Sequence, residues 1–120
     1  MRFLIPALLI LFSGASVAET IVCTKDFTLS SVAGVKKGNN GNDRYHYEPG
    51  ILREVLDGRT LWAYSLVSEK DDLIVGALRQ KQHPTDTQVV VIDRKNKSLS
   101  KTVIQGNLRF TTFGPCTFAR

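Results

Sequence analysis

The sequence is poor in the residues that build metal centres and nucleophilic active sites. It contains two Cys, two His and a single Met among 120 residues, and that Met is the initiator. The spacings His-x-x-x-His, Cys-x-x-Cys and Gly-x-Ser-x-Gly, and that of a calcium-binding loop, are all absent. The sequence therefore predicts no metal and no cofactor, and it favours no class of enzyme.

No apolar run in the sequence is long enough to cross a bilayer, which takes about 20 residues. The longest, residues 3–12, follows Arg2 and precedes a small-residue segment that ends in Ser16-Val-Ala18. This three-part pattern is typical of a secretory signal peptide. We therefore predict a signal peptide over residues 1–18 and a periplasmic or secreted location. We expect residues 19–120 to form a single domain without a transmembrane segment.

The only two cysteines both lie in the predicted mature chain. Cys23 is close to its beginning and Cys116 is close to its end. An even number of cysteines in an exported protein favours a disulfide. Two cysteines so far apart lack the short ligand spacing of a zinc site. We therefore predict a Cys23–Cys116 bond, which the chain-entropy model expects to stabilise the fold by about 4 kcal/mol.

Most of the mature sequence has the pattern of β-strands. Apolar residues alternate with polar ones, and Val, Ile, Thr and aromatic residues recur in short runs separated by turn residues. The predicted disulfide brings the first and last strands together. We therefore expect a mainly β protein, a small antiparallel meander that closes into a barrel of six to eight strands. A two-sheet sandwich is the alternative.

Two segments between residues 33 and 60 depart from the strand pattern. Residues 34–42 contain three Gly and three Asn, which predicts a loop. In residues 49–57, apolar residues recur at helical spacing after Pro49 and before Gly58. Because helices favour Pro at their start and Gly just past their end, this pattern predicts one short helix near 49–57.

Basic side chains are in excess, with 16 Lys and Arg against 11 Asp and Glu and a net charge of +5. Arg94, Lys95, Lys97 and Lys101 surround one predicted hairpin. These four residues are candidates for binding an anionic envelope polymer. The alternative is a solvated hairpin tip whose charges only keep the protein soluble.

Aromatic residues suggest a second binding site. If the segment 34–48 covers a barrel mouth, Tyr45 and Tyr47 could line the entrance to a ligand. The alternative is that the aromatic residues of the chain belong to the core, because side chains fill the interior of a barrel of this size.

The two histidines could serve in acid–base catalysis, but their spacing in the sequence does not indicate that they share one site. His46 and His83 are accompanied by Glu and Arg residues, as cleavage of RNA would require. His83, which precedes a Pro in a polar turn, is more simply interpreted as a solvated loop residue. A small secreted hydrolase such as a ribonuclease, using His46 and His83, is therefore the alternative function.

The end of the sequence resembles a group of small exported proteins of Gram-negative bacteria that have no assigned function. The residues that carry the resemblance are Val91-Ile-Asp-Arg94, Ser98-Leu99 and Gly114-Pro-Cys116, with the partner Cys23 near the mature N-terminus. The resemblance implies a periplasmic β-protein and no activity. The leading expectation is therefore a non-enzymatic binding or accessory protein of the bacterial envelope, acting on an anionic polymer or another envelope protein.

Overall fold

The computed structural model describes residues 18–30, 34–37, 41–79 and 86–120, and every regular element in these ranges is a β-strand. Its ten strands are β1 Glu19–Thr24, β2 Phe27–Ser30, β3 Gly34–Lys37, β4 Asn42–Glu48, β5 Ile51–Leu56, β6 Arg59–Ser68, β7 Leu73–Arg79, β8 Thr87–Asp93, β9 Ser98–Gln105 and β10 Leu108–Ala119. The described ranges contain no helix that could span a membrane.

Eight of the strands close into an antiparallel barrel. Successive strands from β4 to β10 are neighbours, and β1 pairs with both β4 and β10, which closes the ring. The predicted barrel is therefore confirmed, and the sandwich alternative is wrong. Closure also removes the free edges that the ring strands would otherwise expose.

Strand β10 is long enough to extend beyond the ring. Its last residues pair with β1, and the segment Phe110–Phe113 pairs with β2, which in turn pairs with β3. Gly114 lies where β10 changes partner. A Cβ at this position would come within 1.5 Å of the Thr24 carbonyl oxygen, so the backbones pass too closely for any side chain.

The short helix predicted near 49–57 is wrong, because Ile51–Leu56 is strand β5. Pro49-Gly50 and Asp57-Gly58 are hairpin turns rather than helix termini. Asp57 and Gly58 both have positive φ, 51° and 75°, as a tight two-residue hairpin requires. The register between β5 and β6 shifts between Glu54 and Val55. Glu54 is buried inside the barrel, whereas Val55 is buried on the outer wall beside Arg44, so β5 has apolar side chains on both faces. Apolar residues on both faces explain the spacing that looked helical.

The loop predicted over residues 34–42 is wrong in part. Gly34–Lys37 forms β3, and β4 begins at Asn42. Several predictions lie outside the described residues: the signal peptide, except for Ala18, the centre of this loop at 38–40, and His83. The predicted cleavage site directly precedes β1.

The barrel interior holds one continuous core. Ile21, Leu52, Ile74, Ile92 and Leu99 are buried on different strands, each at the inward position of its alternation. Cys23 and Cys116 are bonded across the β1–β10 seam, as predicted. The core and the disulfide together hold the two ends of the chain in one wall.

Candidate functional site

A cluster of charged side chains occupies the inside of the barrel near one end. We call Lys25, Asp43, Glu54 and Lys101 the inner charge cluster. The Lys101 Nζ atom lies 2.9 Å from Glu54 Oε1 and 3.2 Å from Asp43 Oδ2. Lys25 Nζ lies 3.3 Å from the other oxygen of Asp43. The two ammonium groups and two carboxylates therefore compensate one another, as buried charges require.

Two tyrosines and a glutamine complete the inner charge cluster. The Tyr64 hydroxyl lies 2.9 Å from Glu54 Oε1 and 2.9 Å from Gln88 Oε1, and the Tyr45 hydroxyl donates to Asp43 Oδ2 at 3.3 Å. Burial, reinforced by the adjacent carboxylates, raises the pKa of both phenols well above the ordinary value. The two hydroxyls therefore stay protonated and act as hydrogen-bond donors.

The opposite end of the barrel is closed by an arginine that points inward. Arg94 forms an ion pair with the buried carboxylate of Glu19, with Nη1 2.9 Å from Oε2. Its guanidinium carbon lies 5.2 Å from the Tyr47 ring centre and 5.6 Å from the Phe118 ring centre. The hydrogen bonds to Glu19 raise the pKa of Arg94 further. We call Arg94, Glu19, Tyr47 and Phe118 the plug, since their contacts close this end of the barrel.

The rim beside this plug is a small hydrogen-bonded turn. Glu69 accepts hydrogen bonds from the Tyr47 hydroxyl at 2.7 Å and from the Gly50 backbone N–H at 2.9 Å. Desolvation, together with the bond to Glu69, raises the pKa of Tyr47 to about 12. The bonds from Gly50 and Tyr47 lower the pKa of Glu69. These contacts tie the β4–β5 turn to the β6–β7 turn.

The four basic residues predicted around the β8–β9 hairpin do not form one site. Arg94 and Lys101 point into opposite ends of the barrel, and only Lys95 and Lys97 are exposed at the tip. Strand alternation carries the signal for this difference, since Arg94 continues the inward series of Gln88, Val90 and Ile92. Anion binding by the two tip lysines stays a prediction.

An acidic turn lies beside this hairpin tip. The Arg94 backbone N–H donates to the Asp72 carbonyl oxygen at 2.8 Å, which places the β6–β7 turn and its Asp71 and Asp72 next to the tip. Asp93 lies at the base of the same hairpin and accepts from Asn96. Acidic residues therefore lie next to the hairpin, although no described carboxylate forms an ion pair with Lys95 or Lys97.

The two tyrosines predicted at a ligand entrance lie on strand β4, and a loop over a barrel mouth is wrong for this segment. Tyr45 is fully buried in the core. Tyr47 is half-buried and belongs to the plug around Arg94. The described interior is filled by these side chains, so the alternative that placed the aromatic residues in the core holds for Tyr45.

The structure places His46 on the outer wall and Glu54 inside, so these two do not face one site. The second histidine of the hydrolase alternative, His83, lies outside the described residues, and that alternative stays a prediction. Within the described ranges, no group of three or more His, Cys, Asp or Glu is placed to hold a metal ion.

A groove on the outer wall is lined by basic side chains that the sequence did not group into an anion-binding site. This outer groove has a volume of about 520 Å³ and is lined by Val22, Asn42, Arg44, His46, Val55, Leu56, Asp57 and Gly58. A second depression, of about 430 Å³, shares Leu56 and Asp57 with it and adds Arg59, Thr60 and Leu61. The two form one continuous surface around the β5–β6 turn.

Strand pairing concentrates positive charge along the outer groove. His46 is the register partner of Arg53 across β4 and β5, and Arg44 lies two residues from His46 on the same face. Arg59 follows the β5–β6 turn. Within the described part of the chain, Arg44, Arg53 and Arg59 form no ion pair, and Asp57 is the one acidic residue that lines the groove. The sequence alone could not group these residues, because the pairing of β4 with β5 replaced the predicted helix.

No protein-family model, curated protein or solved structure matches this chain in the three comparisons.

Proposed function

We propose that the protein is an exported, non-enzymatic binding protein of the bacterial envelope that holds an anionic partner in the outer groove. The observation that supports this most is a contrast in charge pairing. The four charges of the inner charge cluster neutralise one another, whereas Arg44, Arg53 and Arg59 face solvent without an ion pair to any described residue.

The barrel interior is a poor binding site for a separate ligand. Its apolar part is packed with buried side chains, and its polar part is saturated by contacts between its own residues. Entry of a ligand would have to break ion pairs in a setting where an unpaired charge costs several kcal/mol. The outer wall is therefore the better place for recognition.

The outer groove is also a better anion site than the β8–β9 hairpin. Asp93 lies close to Lys95, and the turn that carries Asp71 and Asp72 is bonded to the hairpin through the Arg94 backbone, so negative charge near the tip weakens its field. Arg44 and His46 line the groove with the carboxylate of Asp57, Arg59 lines the adjoining depression, and Arg53 lies beside His46 on the same face, where Glu48 adds one further carboxylate. Guanidinium groups bind phosphate and carboxylate oxygens in bidentate fashion, which lysine ammonium groups do not.

The groove also presents apolar surface to its occupant. Leu56 is 59% exposed and Leu61 is 45% exposed, and both lie beside Arg59. Cations beside exposed apolar side chains suit a partner that carries charged and apolar groups together. A phosphorylated envelope glycolipid has this chemistry, and it is the partner that we propose.

A charge-matched pair of variants tests this proposal. We expect purified lipopolysaccharide to bind the wild-type protein at low salt, with an affinity that falls steeply as salt increases. The groove variant Arg44→Gln/Arg53→Gln should weaken binding by about tenfold or more and flatten the salt dependence, since each lost charged hydrogen bond is worth about 1.5 kcal/mol or more. The control Lys95→Gln/Lys97→Gln removes the same charge from the hairpin and should change the affinity little.

Each alternative outcome has a definite meaning. Equal loss in both variants would indicate a general charge effect and would reject the groove as the site. Weaker binding in the hairpin variant alone would place the binding site at Lys95 and Lys97. Absence of binding at low salt would reject a phosphorylated glycolipid as the partner.

A further inference from the structure

The inner charge cluster brings together three groups with complementary reactivity. Lys101 supplies an amine, Asp43 supplies a carboxyl carbon, and Glu54 touches the amine at 2.9 Å. Lys101 is on β9 and Asp43 is on β4, which are separated around the ring by β10 and β1. Only the closed barrel brings these two strands face to face across its interior.

We propose that Lys101 and Asp43 condense to form an intramolecular amide that cross-links β9 to β4. Nζ of Lys101 forms a bond to Cγ of Asp43, and the bond from Cγ to Oδ2 breaks. The ammonium group loses two of its three protons, which leave with Oδ2 as one water molecule. An ammonium and a carboxylate thereby become an amide and water, with no oxidant, reductant or cofactor.

The neighbours of Asp43 and Lys101 fit the individual parts of this reaction. Glu54 accepts each proton from Nζ and passes it to the departing oxygen, so its carboxylate ends as it began. Lys25 lies 3.3 Å from Oδ1 and stabilises the negative charge that develops on that oxygen. The Tyr45 hydroxyl donates to Oδ2, the leaving oxygen, at 3.3 Å.

The same contacts distinguish Asp43 from Glu54 as the carboxyl group that reacts. Asp43 has a cation on one oxygen and a hydroxyl donor on the other, which suits an electrophile. Glu54 accepts the Tyr64 hydroxyl and the Lys101 ammonium on the same oxygen, which suits a proton carrier.

The barrel supplies the conditions under which such a condensation proceeds. The side chains of Asp43 and Lys101 are only 7% and 12% exposed, so little water competes for either group. The rigid wall holds the amine and the carboxyl group in contact, which replaces a bimolecular encounter with an intramolecular one. The cross-link is independent of the proposed binding by the outer groove, and either can fail without the other.

Intact mass of the purified, reduced and denatured mature protein tests the proposal directly. We expect it to be lighter than the sequence mass by one water molecule, and fragmentation should yield a branched peptide that joins Asp43 to Lys101. The variants Lys101→Arg and Glu54→Gln should have their full sequence mass. The control Lys97→Arg should retain the loss of water.

Two competing dehydrations must be separated from the cross-link. Asp57-Gly58 can lose water by closing a backbone succinimide, which mild alkali reopens, whereas a side-chain amide survives that treatment. An amino-terminal Glu19 can lose water by closing to pyroglutamate, and fragmentation places that loss in the amino-terminal peptide. A full sequence mass in the folded wild-type protein would overturn the proposal, whatever the folding of the variants. A loss of water that mapped to Glu19 or Asp57, or that alkali reversed, would overturn it equally.

Discussion

Removal of the Cys23–Cys116 disulfide is expected to open the barrel at one seam before it unfolds elsewhere. The bond crosses the β1–β10 ladder, which has four residue pairs in register from Thr20↔Ala119 to Cys23↔Cys116. These pairs join the first and last strands of the barrel. In the double variant Cys23→Ala/Cys116→Ala, this short ladder is what still joins β1 directly to β10.

The expected loss of stability follows from the length of the loop that the bond closes. The two cysteines are separated by 93 residues, for which the chain-entropy model gives about 4 kcal/mol. Both side chains are buried, so loss of the sulfur atoms adds about 1 kcal/mol for the volume left empty. If the Asp43–Lys101 amide also forms, the effective loop shortens, but the logarithmic dependence on length lowers the figure by less than about 1 kcal/mol.

Denaturant unfolding of the wild-type protein and of the alanine double variant measures this loss. A domain of this size has a total stability of about 5–15 kcal/mol, so we expect a large shift of the transition midpoint. Hydrogen exchange in native buffer shows where the loss acts. Exchange through global unfolding should speed up in every strand, but amides of β1 and of the end of β10 should be accelerated by a larger factor than those of the β7–β8 ladder across the barrel.

Two results would refute this reasoning. A loss below about 1 kcal/mol would mean that the unfolded chain gains little freedom when the bond is absent. Uniform acceleration of exchange in all strands would mean that the seam is not a separate weak point. The single variants Cys23→Ala and Cys116→Ala serve as controls, since each also lacks the bond and should lose a similar amount.

Three further predictions concern other parts of the chain. Gly114→Ala should destabilise the fold by several kcal/mol in thermal unfolding, because its Cβ would lie 1.5 Å from a carbonyl oxygen of the neighbouring strand; near-native stability would refute the close approach. Hydrogen bonds from Gly50 and Tyr47 lower the pKa of Glu69, so this carboxylate contributes stability at neutral pH that is lost as the pH falls through its lowered pKa. In Tyr47→Phe, an NMR titration should find the pKa of Glu69 closer to its ordinary value, and an unchanged pKa would contradict the role of the hydroxyl. N-terminal sequencing of the exported protein should begin at Glu19, and retention of Met1 would refute the predicted signal peptide.

The sequence by itself determined the fold class and the covalent bond that closes the chain. Period-two alternation specifies strands, because adjacent side chains of a strand point to opposite faces. Two cysteines allow a single intramolecular pairing, so the disulfide required no knowledge of the tertiary structure.

The prediction of a helix failed because the same residues that bound helices also form the turns of β-hairpins. Pro49 and Gly58 bound a segment that suits a helix, yet Pro-Gly and Asp-Gly are also the turns of tight hairpins. The apolar spacing between them fits a strand with apolar side chains on both faces as well as it fits a helix. Pairing of β5 with β4 and β6 decided the question, because both neighbours of a strand must be present before its hydrogen bonds are satisfied.

Only the tertiary structure decided which charges are paired and which remain available. Lys101 resembles the exposed lysines of the hairpin in sequence, but it points inward to carboxylates from β4 and β5, two strands that are not its neighbours in the ring. Arg44 and Arg53 are nine residues apart in sequence and share the outer face through the β4–β5 register. A sequence fixes the face of each strand through its alternation, whereas closure of the ring decides which side chains from distant strands come within the few ångströms over which charges pair.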